Sequence, residues 1–463
     1  MDFKIDSTRL IMDIRRNDNG KKIINIISDI ADLTVSGNFH LTSLGEVFAR
    51  EGEIIQSVMS EKIDPVFFND SISVAQKSII RKLEQKPIDN FAFDYLLDFK
   101  ESMKINVGES ILEIDGLMNG NVKSEYDSIA ITLLAQFDYL KFWNDKDVYF
   151  LINSKLNTYI SNHLIDGYDG VIDATLKFNS DRIYAKGNLY NISSEFNMLG
   201  NDIDFSFNGV YEKNIKAKLN ANASFDEKQL DLFINEFDLN YNDLNIKNIN
   251  KIKLSYLNQA INFDDFNLSI ADGILSTSGS FGATGEHKLD FSLDSLTGHR
   301  VVSDIMGKLG AKDFDTDINL SAELNGNFSN PKFSIIGSAK NIKYGSGNFG
   351  SLHSTFEYAD NSLNTNIRFL DSLGNQEKPA LLVKGYIPLN LFASQDSSDL
   401  KKKLLDLTIE SDEYDLSSLK DLIPNIQFNK GTLESDIYIS GTLEEPIAIG
   451  YFSIPLGKSQ SPA

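Results

Sequence analysis

The residues that could do chemistry are few and poorly spaced for it. Five His occur, at 40, 163, 287, 299 and 353, each alone, with no HExxH or His-x-His spacing that would bring two imidazoles to one metal. The chain has no Cys, which removes thiol nucleophiles, disulfides, thiolate zinc sites and iron-sulfur clusters together. The segment GSGNFG at 345–350 satisfies GxGxxG. A dinucleotide site, however, needs a helix N-terminus after the glycines, and SLHSTFEYAD reads as a strand, so the segment is expected to be a loop. DFDTDIN at 313–319 has the Asp alternation of a calcium loop. Ile318 stands where that loop needs Gly and Leu324 where it needs Glu, so its Asp residues are expected to face water while Phe314, Ile318 and Leu320 face in. The abundant carboxylates define no acid-base pair without geometry. No catalytic residue, metal or cofactor is expected, and the chain does not read as an enzyme. One Trp, Trp143, stands against 31 Phe. Sugar platforms favour Trp and Tyr, whereas a lipid wall needs only apolar bulk, although any β core is also filled with Phe, Leu and Ile.

The 463 residues suit two or three average domains or one elongated repetitive body. With 41% of residues in the hydrophobic set the chain can build a core. Against 44 Lys and Arg stand 66 Asp and Glu, a formal charge of −22, which repels phosphate backbones and anionic headgroups and excludes nucleic acid as a partner. Contact with lipid would have to be made through apolar surface. The longest uncharged apolar stretch, SIAITLLAQF at 128–137, ends at Asp138, well short of the roughly 20 residues that span a bilayer. No signal peptide opens the chain, which starts abruptly in a strand and is expected to be a piece of a longer one.

Most of the chain reads as strands. From about residue 90 apolar residues recur at every second position: Ile172, Ala174, Leu176 and Phe178; Phe266, Leu268 and Ile270; Leu289, Phe291 and Leu293; Ile318, Leu320, Ala322 and Leu324; Ile437 and Ile439. NDNG at 17–20, FNSDR at 178–182 and DG at 272–273 read as turns between them. The gaps are too short for parallel crossovers, so consecutive strands should pair antiparallel as a meander. Helices are expected at about 43–86, where Leu44, Val47 and Phe48 begin one and Ile79, Ile80 and Leu83 lie on another, and at 299–309 and 416–423. Some 30 strands would result at about 13 residues each, more than an open twisted sheet holds before it curls. The expected fold is mainly all-β: an elongated, curled antiparallel sheet forming a taco-like groove, with a few short helices. Residues 1–105 would hold N-terminal strands with the helical insertion, 106–297 groove repeats, and 298–463 a groove segment with short helices, in one continuous body.

A half-apolar sheet must bury that face, either under a second sheet or by bending into a trough. Two segments add detail. GNFSNPKFSIIG runs from Gly326 through Pro331 to Gly337, and GTLEEPIAIG from Gly441 through Pro446 to Gly450; both place Pro five residues after Gly and follow an alternating strand. This layout resembles the repeat of the TamB and AsmA-like family of Gram-negative envelope proteins, as do the segment from Leu405 to Ile454 and FNLSIADGILSTSGSFGATGEHKLDFSLDSL at 266–296.

The resemblance implies a repeating β-groove in the periplasm that conducts phospholipids between inner and outer membranes, with an inner-membrane anchor and an Omp85-type outer-membrane barrel as partners of the full-length protein. The groove wall would be formed by Phe266, Leu268, Ile270, Leu289, Phe291, Leu293, Ile318, Leu320, Leu324, Ile437 and Ile439. The alternative is a scaffold for insertion and assembly of outer-membrane proteins that offers a free strand edge. A parallel β-helix is disfavoured because hairpin turns dominate over a coil-length repeat.

Overall fold

A computed structural model describes residues 3–4, 9–40, 90–107, 110–125, 128–144, 146–164, 170–226, 229–242, 244–282, 287–298, 314–327, 330–344, 347–370, 379–389, 403–415 and 431–454. Its elements are all strands, and the strand pairings among the described residues are antiparallel. The all-β, antiparallel expectation therefore holds. The helices expected at 43–86, 299–309 and 416–423 lie outside the described residues.

The chain divides into two compact units, Met1–Asn240 with Ser255–Gln259 and Tyr241–Leu254 with Ala260–Ala463. The strands up to the first boundary are β1 (Phe3–Lys4), β2 (Leu10–Arg16), β3 (Lys22–Ser28), β4 (Ala31–Asn38), β5 (Phe91–Val107), β6 (Ser110–Glu125), β7 (Ser128–Trp143), β8 (Val148–Leu164), β9 (Gly170–Ala185), β10 (Asn188–Leu199), β11 (Asp202–Tyr211), β12 (Ile215–Asp226) and β13 (Gln229–Tyr241). They are followed by β14 (Leu244–Asn248), β15 (Ile252–Leu257), β16 (Ala260–Ile270), β17 (Gly273–Gly282), β18 (His287–Thr297), β19 (Phe314–Asn327), β20 (Asn330–Tyr344), β21 (Gly347–Ala359) and β22 (Ser362–Leu370). The last four are β23 (Leu381–Pro388), β24 (Asp406–Asp415), β25 (Thr432–Gly441) and β26 (Pro446–Ser453).

In the first unit β5 to β9 run 16 or 17 residues each. Directly opposed residues form apolar rows across neighbouring strands. One runs Phe93, Val122, Ile131, Ile160, Ala174 and Met198 from β5 to β10, and continues to Ile203 and Ala223. Such rows form because alternate residues of a strand share a face and antiparallel register sets equals opposite each other. One core cluster of the unit buries Ile24, Phe39, Phe91, Val122 and Ile129 together. The Phe39 ring tilts against Phe93 at 5.4 Å.

Several turns follow the sequence reading. Asn17 closes the β2–β3 hairpin, its side-chain oxygen accepting from the backbone N–H of Asn19 and Lys21. Asp272 lies in the two-residue turn between Ile270 and Gly273. FNSDR is a correction: Phe178–Arg182 lies inside β9, paired with β8 and β10. Its polar residues face left-handed residues on both flanking strands, Asn153 with φ 48° on β8 and Asn191 with φ 51° on β10, each opposite Asp181; β10 is bulged there against β11, whereas β8 keeps its register. The Asn153 amide donates to Asp181 at 2.7 Å, and the hydroxyls of Ser154 and Ser180 meet at 2.7 Å. The GSGNFG reading is corrected in part as well, since Gly347–Gly350 opens β21 instead of forming a loop.

The second unit has its own bulges. Asp265, Ser295 and Asn341 take left-handed φ of 54°, 57° and 55° at register shifts in β16, β18 and β20. Two are clasped from the next strand: the Ser295 N–H donates to Asn319 Oδ1 at 2.9 Å, and the Asn341 amide donates to Asp317 at 2.9 Å. A bulge inserts one residue, bends its strand and raises local twist. It also shifts the alternation by one, so the apolar face of β18 continues from Leu293 to Leu296.

Candidate functional site

In the second unit the register brings the expected groove residues onto one face of the sheet. The row through the first of them runs Phe266, Thr277, Phe291, Ala322, Ile335 and Phe356 from β16 to β21. It continues through Thr365, Gly385, Leu407, Ile439 and Ala448 to β26. The adjacent row begins Leu268, Leu275, Leu293, Leu320, Gly337 and Ser354. It ends Ile367, Val383, Ile409, Ile437 and Gly450. A third row on the other flank sets Leu289 against Leu324 and Leu324 against Phe333. Ile318 lies opposite Leu296 beyond the bulge of β18, and Ile270 ends β16 opposite Gly273.

The two long rows cross eleven strands, β16 to β26, without a charged side chain. All eleven expected groove residues are half-buried, whereas Asp317, Ser321, Glu323 and Asn325 on the opposite face of β19 are exposed. Phe333 stacks on its cross-strand partner Tyr358 with ring centroids 5.0 Å apart. Charge is confined to the other side, where Lys384 pairs with Glu410 at 3.1 Å. On that polar face Asn319, Ser338, His353 and Arg368 stand opposite one another on four strands. With Asp294 they line a hollow of about 450 Å³.

The sequence reading missed part of these rows. Ile335 was hidden by its neighbour Ile336, which is 55% exposed on the polar face. Val383 lies in the run Leu381, Leu382, Val383, where alternation is lost. Leu407 and Ile409 alternate plainly in LDLTIE and could have been found.

The motif turns prove to be one structure used twice. Gly326 lies directly opposite Pro331, and Gly441 directly opposite Pro446. Both glycines have positive φ, +88° and +82°, and a Cβ on either would sit 2.4 Å from a carbonyl oxygen, that of Asn330 or of Glu445. The hairpin thus needs Gly where the chain leaves the strand. Pro opens the returning strand, a position where its missing N–H disturbs the ladder least. The later glycines lie on the apolar rows, Gly337 opposite Leu320 and Gly450 opposite Ile437.

β26 differs from its neighbours. Ile447, Ile449 and Tyr451 fall on the face that is polar elsewhere and are 55%, 64% and 57% exposed, and Phe452 on the apolar face is 64% exposed. Among the described residues β26 pairs with β25 alone.

Among the described residues no group of three or more His, Asp or Glu is placed to hold a metal ion, and no helix is long and apolar enough to cross a membrane. Comparison with protein-family models, curated proteins and solved structures found no match to the chain.

Proposed function

We propose that this chain is a periplasmic segment of a TamB and AsmA-like envelope protein, and that its apolar face is the wall of a groove conducting phospholipids between inner and outer membranes. The observation that carries this reading is the pair of rows crossing eleven strands without a charge. An acyl chain on such a face exchanges water for apolar contact at about 0.8 kcal/mol per buried methylene. An unpaired charge facing into the path would interrupt it. The repeated Gly-x4-Pro hairpins support the family reading, and the net charge of −22 fits lipid contact through apolar surface. Full-length relatives would add an inner-membrane anchor and contact with an Omp85-type barrel.

The test is photocrosslinking of phospholipid to the face, with envelope integrity measured in cells that depend on the full-length protein. Leu320→Asp and Ile439→Asp should lose lipid crosslinks and transport by more than tenfold while circular dichroism stays that of the wild type. Ser321→Asp, on the exposed face, should leave both unchanged. Full lipid occupancy in folded Leu320→Asp would overturn lipid conduction.

One observation favours the second reading, a scaffold for insertion and assembly of outer-membrane proteins. Natural edge strands are usually guarded by charge, Pro or bulges. From Ile447 to Ser453 β26 has no charge and is exposed along nearly its whole length, and could accept an added strand. Unaltered lipid transport together with loss of a partner's crosslinks in Ile449→Lys would favour this role.

A further inference from the structure

On the polar face of the second unit, β21 and β22 build a square of hydrogen-bond donors. His353 lies directly opposite Arg368 and Thr355 directly opposite Asn366, with no register shift between the two strands. Opposed Cβ atoms stand about 5 Å apart, and successive residues of one face about 7 Å apart along the strand. At that spacing four side-chain tips can reach one small ligand. Ser338 on β20 extends the square opposite His353, and Lys384 on β23 extends it opposite Asn366. The four corners and Ser338 line the hollow of about 450 Å³ on this face, where Ser338, His353 and Thr355 are half-buried.

Its charge sets the square apart within this chain. Acidic residues outnumber basic ones by 66 to 44, and strand lysines elsewhere meet carboxylates, Lys177 with Glu195 at 2.9 Å and Lys218 with Glu236 at 2.7 Å. Among the described residues Arg368 has no such partner, and the side chains of Ser338, His353, Thr355 and Asn366 make no hydrogen bond. No corner is a carboxylate. The nearest are Glu357, two residues beyond Thr355 at the end away from Arg368, and Glu410, two strands from Arg368 and paired with Lys384 at 3.1 Å. Asp294 lines the far end of the hollow, on β18, three strands from His353.

We infer that this square binds the phosphate group of a small soluble molecule. Arg368 presents a planar fork of N–H donors that grips two oxygens, and Thr355, Asn366 and one imidazole N–H of His353 add donors from the other corners. A tetrahedral oxyanion, with oxygens in several directions, can use donors from four corners, whereas a planar carboxylate is satisfied by the Arg fork alone. The net charge of −22 opposes polyanions and anionic membranes, whose many charges sum the repulsion. A single phosphate responds chiefly to the charges within a screening length, about 10 Å at 0.1 M salt, and there Arg368 leads. The square lies on the opposite face of the sheet from the apolar rows and does not depend on the lipid-groove reading.

The experiment follows the imidazole carbon–proton NMR signals of the full chain, five in all, at fixed pH and ionic strength, with His353 assigned by the signal lost in His353→Gln. The titrants are inorganic phosphate, glycerol 3-phosphate, acetate, and phosphatidylcholine vesicles carrying phosphatidylglycerol. Both phosphates should shift the His353 signal saturably and leave the other imidazoles unmoved, with acetate at least about tenfold weaker. Arg368→Gln should weaken phosphate binding by about tenfold or more, the scale of hydrogen bonds to a charged group. Lys218→Gln, the same change of charge away from the square, should leave it unaltered. Asn366→Ala should weaken it less, and decides the matter if Arg368→Gln does not fold. An unmoved His353 signal with both phosphates, acetate binding as tight as phosphate, or wild-type affinity in folded Arg368→Gln and Asn366→Ala would each overturn the site. A response to the vesicles alone would replace the soluble ligand by a lipid surface and overturn the assignment to a solute.

Discussion

At the scale of the residue, the glycines of the two hairpins are the least replaceable positions that the sequence singled out. Gly326→Ala must force a side chain into left-handed backbone and against the Asn330 carbonyl. It should cost ~1–3 kcal/mol, read as a lower urea midpoint, whereas Asn325→Ala, exposed on the neighbouring strand position, should change little. Glu195 offers a titration test. The Asn197 amide at 3.0 Å and then the Lys177 ammonium at 2.9 Å hold its carboxyl below the ordinary carboxylate value of 4.5. A carboxyl with a lowered folded pKa contributes stability above its unfolded value, and that contribution fades as pH falls below 4.5 through the folded value. Asn197→Ala and Lys177→Met should each move the Glu195 carboxyl upward in an NMR titration, and an unmoved midpoint in both would refute the assignment.

At the scale of the element, the strands of 16 or 17 residues stay paired across local irregularities, among them the left-handed Asn153 of β8, which leaves the β8–β9 register unshifted. Each left-handed residue other than Gly inside a strand is Asn, Asp or Ser, types whose short side chains tolerate that backbone and bond locally. Asn153→Ala removes the amide that reaches Asp181 and leaves a residue with no such tolerance. It should destabilise the β8–β9 pair by ~1–2 kcal/mol, seen as faster amide exchange around Asn153 and Asp181 with exchange in β24 and β25 unchanged. The bulge of β18 also bears on the choice of a control on the polar face. Asn319 faces the polar side, but its side chain accepts from the Ser295 N–H, so it helps hold β18. Ser321, opposed by Ser292 and Ile336, is the cleaner neutral position.

For the whole molecule, the net charge of −22 acts on every conformation, and most strongly on the folded ones that bring like charges together. Raising ionic strength from about 20 to 300 mM shortens the screening length from about 20 to 6 Å. The urea midpoint should rise over that interval, and a falling midpoint would show that attractive pairs such as Lys384 with Glu410 outweigh the repulsion. The charge has a further consequence. Because it is held on the polar side of the strands, as Asp317 and Glu323 are on β19, the apolar rows gain no repulsion toward an uncharged chain.

The sequence by itself determined the class of element and the face of most side chains. Period two is a property of the strand backbone, so Ile318, Leu320, Ala322 and Leu324 must share a face wherever the strand lies. The short turns likewise required antiparallel neighbours. Hairpin chemistry was legible in Gly326 with Pro331 and in Gly441 with Pro446, because positive φ and a missing N–H are local constraints. Only the tertiary structure decided what depends on two strands at once. FNSDR looks like a turn because Asn, Ser and Asp favour turns, yet the same residues lie on β9 opposite the left-handed Asn153 of β8 and Asn191 of β10. Whether Ile335 or Ile336 belonged to the apolar row was set by register against Ala322, and no single strand carries that information. The surroundings of Thr365 are invisible in sequence for the same reason: Phe356 and Gly385 lie 9 positions before it and 20 after it and meet it only across the ladder.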